Sequence, residues 1–213
     1  TKLYLRASYQ SMRNMAHKAS LAVRSCTGGL LPDGAELPLR AVLGRFGALT
    51  GLAPSGQRIR IHGDFGLTNV LRRGKDILFC DFDGDTRLPL GERVIKRSPL
   101  RDVAGMTVSI FLEASRAMRR ERERNPKDAE GLGPWLSLWR WSACHAFVRS
   151  YLDADARSAR LPREPRDAQR LLELFLLEQL LRQLVREIDD AGQDAAMLLD
   201  LVGSYLRVFP EKE

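Results

Sequence analysis

Apolar residues recur at helical spacing along most of this 213-residue chain. In one stretch alone, from Ile59 to Phe82, the period drops from 3.6 residues to two. That interruption fixes the fold class expected here: α+β, mostly α-helical, with one small β-hairpin set among helices. Ile59 and Ile61 lead into a loop at Gly63-Asp64, and Val70-Leu71 opens a strand. Arg73-Gly74-Lys75-Asp76 has turn chemistry. Ile77 to Phe82 is a second strand, apolar except for Asp81, so the spacing predicts a buried antiparallel hairpin.

The flanking segments read as helices. Residues 2–25 place Leu3, Leu5, Tyr9, Met12, Ala16, Ala19 and Val23 near one face, and 36–50 does the same through Leu39, Val42, Leu43, Phe46 and Leu49. Ser98-Pro99 is a helix start, a capping serine before a first-turn proline. The helix it opens is predicted to break at Gly131 to Pro134, and the next runs from Trp135 past Tyr151 to Leu152. Leu171 to Ile188 is rich enough in leucine to be mostly buried, and Ala195 to Val208 closes the pattern.

No apolar run approaches the roughly 18 residues that cross a bilayer, and no signal peptide is visible. Three cysteines, widely spaced, form neither a zinc pattern nor a disulfide framework, which favours a reducing, cytoplasmic setting. The net charge of +7 admits an anionic partner. The densest basic run, Arg116 to Arg124, is mixed with Glu121 and Glu123 and reads as a solvated helix end, and no nucleic-acid-binding motif accompanies it. A phosphorylated small molecule is the better expectation.

Three oxygen-bearing side chains converge on the hairpin in this reading. Asp64 lies in the glycine loop, Asn69 precedes the first strand and Asp81 ends the second. Taken singly, each reads as a turn or capping residue. Taken together, they ask for a cation, since an unpaired carboxylate among Leu78, Phe79, Cys80 and Phe82 would cost several kcal/mol. An amide beside a carboxylate suits Mg²⁺, which takes its remaining ligands from water and phosphate. Asp64, outside that pair, can accept a proton from an attacking hydroxyl. Base, amide and metal carboxylate describe phosphoryl transfer.

The order His62-Gly63-Asp64, Asn69, Asp81 resembles the catalytic loop and metal segment of the aminoglycoside phosphotransferase-like kinases. Residues 96–106, KRSPLRDVAGM, resemble the segment that follows the metal aspartate in bacterial maltokinases, and YQSMRN (9–14), PLGER (89–93) and LLEQLL (176–181) are similar to further segments of that family. The resemblance implies a protein kinase-like C-terminal lobe over 1–213, divided into a helical linker region (1–56), a catalytic loop and hairpin (57–98) and a helical subdomain (99–213). It implies Asp64 as base and Asn69 and Asp81 as the residues holding Mg²⁺ and ATP, with Asp83 assisting a second metal. The implied reaction is ATP-dependent phosphorylation of maltose at its anomeric hydroxyl. The N-terminal lobe, with its sheet and phosphate-binding lysine, is not found before residue 59, so a fragment of a longer polypeptide is expected, with a trehalose synthase as a fused or associated partner.

The chain departs from the maltokinase pattern at Gly66, where His is usual, at Asn69, where Gln is usual, and in DFDGDT for DFEGEP. His62 is expected to orient the loop. Arg101, Asp102, Trp139 and Tyr151 are candidates for the sugar acceptor, against plainer readings: helix-start electrostatics for Asp102 and core packing for the aromatics. Two alternatives stand beside the maltokinase reading, a catalytically degenerate interaction module and a kinase for another hydroxylated small molecule.

Overall fold

A computed structural model describes residues 2–52, 56–155 and 160–208. In chain order the helices are α1 (Lys2–Ser25), α2 (Leu39–Gly47), α3 (Leu90–Arg93), α4 (Leu100–Arg124), α5 (Pro126–Asp155), α6 (Pro165–Asp189) and α7 (Ala195–Val208). Strands β1 (Val70–Arg73) and β2 (Asp76–Phe79) lie between α2 and α3 and pair antiparallel, Val70 opposite Phe79 and Arg73 opposite Asp76. The mostly helical α+β class with one hairpin is therefore the observed one. The chain divides into two compact units, Thr1–Ser55 with Glu164–Glu213, and Gly56–Arg163.

In the first unit α1 packs on α2 and α6, and α6 on α7. Met12, Ala16, Ala19 and Val23 form the buried stripe of α1, and Leu3, read into that face from spacing, is exposed. The leucine-rich segment is buried as expected, through Leu174, Leu177, Leu181 and Leu184. Pro165 opens α6, where its missing N–H costs no helical hydrogen bond. Tyr205 Oη donates to the Glu173 carbonyl at 2.6 Å, tying α7 to α6.

In the second unit α5 folds back along α4 after the single residue Asn125. Cys144 lies against Thr107, and Trp141 meets Phe111 three residues earlier on α5 and four later on α4, so the two run in opposite directions. Cys144 is buried, and its thiol is pushed up to about 11 by that burial. The helix break expected at Gly131 to Pro134 does not occur: α5 starts at Pro126 and runs through Pro134. Proline removes one backbone donor and strains the preceding turn. Here the packing of α5 on α4 outweighs that loss.

The hairpin also differs from expectation. It is short and exposed rather than buried, with Leu71, Ile77, Leu78 and Phe79 all open to solvent. The continuous apolar run that suggested burial ends as a strand at Phe79, two residues before Asp81. Among the described residues, no helix is long and apolar enough to cross a membrane.

Candidate active site

The loop from Ile59 to Asn69 is fastened at each end. Ile59 and Arg97 exchange backbone hydrogen bonds at 3.0 and 2.9 Å. Gly63 then turns with φ +83°, and a side chain there would sit 3.3 Å from the Gly84 Cα. Glycine is required on both counts, left-handed backbone and close approach. The first turn of α4 supplies the next fastening. The Asp102 carboxylate accepts the His62 N–H at 2.7 Å and the Gly63 N–H at 2.9 Å. Its pKa is raised above 3.8, because burial outweighs these two amides and the nearby His62 and Arg101.

His62 is buried, and its ring packs against Phe65 and Phe82, at 5.3 and 4.8 Å between centroids. Its Nε2 lies 2.8 Å from the Cys80 carbonyl, so Nε2 carries the proton and donates. Through this bond the Asp64 loop is tied to the backbone that precedes Asp81.

Asn69 closes the loop. Its Nδ2 donates to the Asp64 carbonyl at 2.8 Å, and its N–H to the Gly66 carbonyl at 3.0 Å. Its own carbonyl accepts the Cys80 N–H at 3.1 Å, which extends the β1–β2 ladder by one step. Asn69 therefore stands opposite Cys80 at the open end of the hairpin, with Asp81 next in line. Asp64, Asn69 and Asp81 share this end of the second unit.

Asp81 occupies it in a different way from that inferred. It is exposed, lies outside the strand and has φ +63°. The desolvation argument for a cation does not hold at this residue. Aspartate tolerates the left-handed region better than most side chains, and the turn aims the chain into the 81–85 loop. Asp83 is exposed as well, with its carbonyl accepting from Arg93 at 3.2 Å. Asp85 is buried and accepts the Arg87 N–H at 3.2 Å.

These residues suit Mg²⁺. With Nδ2 committed to Asp64, the Asn69 side chain has Oδ1 to offer a cation. The exposed Asp81 carboxylate can bind while the ion keeps its waters. Among the described residues no three His, Cys, Asp or Glu gather as a complete metal cage. Two hard oxygens completed by water and phosphate are the arrangement this ion favours.

The four acceptor candidates do not form one cluster. Arg101 is buried beside Asp102. Tyr151 is half-buried on α5, with its hydroxyl raised first by burial and then by Asp155 and Asp102. Trp139 is 54 % exposed and lies twelve residues before Tyr151, about 18 Å along the helix. Core packing, the plainer reading for the tryptophans, is not what is found: Trp135 and Trp141 are also exposed, at 69 % and 61 %. Trp141 meets Phe111 edge-on, and the Arg140 guanidinium lies over the same ring.

Two features escaped the sequence reading. Leu71 and Leu78 pair across the strands on the hairpin face opposite Val70 and Phe79. Phe79 meets Phe65, and Val70 packs on the Met106–Ile110–Cys144 cluster, so the leucines face outward. Ser109 Oγ accepts the Leu67 N–H at 2.9 Å. Its place seven residues after Asp102 was the available signal.

No family model matches the sequence. Solved structures of glucosamine kinase share the fold. Crystal form B aligns over 99 % of this chain with a TM-score of 0.68 and 24 % identity. Crystal form A aligns over 97 %, with a TM-score of 0.66 and 24 % identity. A third, in complex with glucosamine, ADP and inorganic phosphate, aligns over 98 % with a TM-score of 0.66 and 23 % identity. The chain spans 47 %, 46 % and 48 % of these three structures.

Proposed function

We propose that this chain is the C-terminal, catalytic-loop-bearing lobe of an ATP-dependent sugar phosphotransferase. The observation that carries the reading is the double tie of Asn69, to the Asp64 carbonyl and to the Cys80 N–H. It ties the backbone of Asp64 and the residue before Asp81 to Asn69, and so supports a site in which the Asp64 carboxylate, the Asn69 amide and the Asp81 carboxylate act together at one end of the hairpin. The fold shared with glucosamine kinase, one structure of which holds ADP, supports it.

In this reading Asn69 and Asp81 hold Mg²⁺, with Asp83 beside them, and the metal neutralises charge on the ATP phosphates. Leu71 and Leu78 offer the flat apolar floor on which a purine can lie. Asp64 accepts the proton of the attacking sugar hydroxyl as its oxygen bonds to the γ-phosphorus and the bond to the β-phosphate oxygen breaks, releasing ADP. Asp102 acts one step back, holding the amides of the loop that presents Asp64. Maltose is the acceptor favoured by KRSPLRDVAGM and the other matching segments. Glucosamine enters as the sugar bound in a neighbour. The remainder of the kinase, a fused or associated trehalose synthase and a cytoplasmic location belong to the same proposal.

Incubating the full polypeptide with Mg·ATP and a panel including maltose and glucosamine tests it. We expect one sugar phosphate to form. Asp64→Asn should lower turnover by about 10² to 10⁴ with nucleotide affinity within twofold. Nucleotide binding without transfer to any acceptor would leave the interaction-module reading in its place.

A further inference from the structure

The turn that carries Asn69 has no cap of its own. Leu67–Asn69 is a single 3-10 turn preceded by Gly66, and no neighbouring side chain caps it. Its first amide, the Leu67 N–H, donates to Ser109 Oγ, 42 residues later on α4. Ser109 shares an α4 face with Asp102, two turns away. Between them lies Met106, in the cluster against which Phe65 packs. The helix thus holds the loop at three heights: a carboxylate on the amides of 62 and 63, an apolar seat under Phe65, and a hydroxyl on the amide of 67.

A second contact singles out Ser109. A Cβ on Gly66 would lie 3.1 Å from Ser109 Oγ and 3.3 Å from Ser109 Cβ. The Gly66 backbone, at φ −153° and ψ 175°, is open to any residue. Its conformation gives no reason for glycine, whereas the space taken by Ser109 does.

We propose that Ser109 is a positioning residue that caps the Asn69 turn from α4, and that Gly66 and Ser109 are a matched pair. A side chain at 66 displaces the hydroxyl and frees the turn. The functional consequence rests on the reading of Asn69 as a magnesium ligand. Moving the turn moves the amide oxygen, while the acceptor side is untouched.

Backbone amide exchange followed by NMR on the full chain tests the cap without reference to activity. Ser109→Ala should speed exchange at Leu67 about fivefold, the worth of one neutral hydrogen bond. His62 and Gly63, held by Asp102, should stay within twofold. Ser109→Thr, which keeps the hydroxyl, should restore the Leu67 rate. Gly66→Ala should speed Leu67 exchange in the Ser109 background and have little effect in Ser109→Gly, a coupling that a merely structural serine would not give.

In parallel, Ser109→Ala should raise several-fold the Mg²⁺ concentration that half-saturates ATP binding, leave the melting temperature nearly unchanged and be rescued by Ser109→Thr. Unchanged Leu67 exchange in Ser109→Ala, or an equal effect of Gly66→Ala in both backgrounds, overturns the proposal. If exchange responds as stated but the chain shows no Mg²⁺-dependent ATP binding, the cap stands and the phosphotransferase reading falls.

Discussion

The order of the 62–69 loop depends on Asp102, because its half-buried carboxylate takes two backbone amides that would otherwise lack acceptors. Asp102→Asn keeps the shape but sets an NH₂ against one of those N–H groups. Hydrogen bonds to a charged acceptor contribute about 1.5–3 kcal/mol each. At neutral pH the burial of the charge offsets that gain, so the variant is read by amide exchange, which should be faster at His62 and Gly63. The pH dependence has a definite sign. Burial raises this carboxyl above its ordinary 3.8, so the folded chain holds the proton more tightly than the unfolded one. Its contribution to stability is complete below 3.8 and is lost as pH rises through the folded value. The stability difference between wild type and Asp102→Asn should move in that sense across the window above 3.8. A difference that is flat there, or that runs the other way, removes the burial argument.

Among the elements, α5 shows where local signals and packing part company. Gly131, Gly133 and Pro134 are all helix-disfavouring, and a reading of neighbours alone ends the helix there. The helix that continues past them packs on residues distant in sequence, Thr107 against Cys144 and Phe111 against Trp141, and no periodicity within α5 reveals them. The interior proline still has its cost. Pro134→Ala should stabilise the protein by about 1–3 kcal/mol, seen as a higher melting temperature with α5 otherwise intact. Trp139, half open to solvent, should behave differently from a core aromatic: Trp139→Ala should change stability by no more than about 0.5 kcal/mol.

The hairpin divides in the same way. Its turn at Gly74 follows from local chemistry and was legible. Its exposure was not, because an apolar run says that a surface seeks cover and not whether this chain supplies it. The spacing sets Asp64 and Asn69 on one loop, and there the Asn69 amide meets the Asp64 backbone carbonyl. The ties that fix it come from residues 102 and 109, about 40 positions away.

At the scale of the molecule, the balance of charge and the extent of the chain bear on nucleotide binding together. The chain matches the fold of a solved structure that holds ADP, but spans about half of that structure. Within it, the phosphate-facing chemistry proposed here amounts to two oxygen ligands for a metal and a net charge of +7 spread over 213 residues. The metal is the only focused positive charge in that set. ATP affinity should therefore depend strictly on Mg²⁺, and the diffuse cationic surface should add a salt-sensitive attraction. Two ligands and an open apolar floor leave most of the nucleotide wet, so Kd should lie nearer the millimolar than the micromolar range, a free energy of about −4 to −6 kcal/mol. Calorimetric titration of this chain with ATP should show binding that disappears with EDTA and weakens between low and physiological salt. Asn69→Ala should abolish this binding at both salt concentrations. Micromolar affinity that survives EDTA would place the nucleotide on a surface other than the hairpin end, since no arrangement of Asn69 and Asp81 can hold polyphosphate without a cation between.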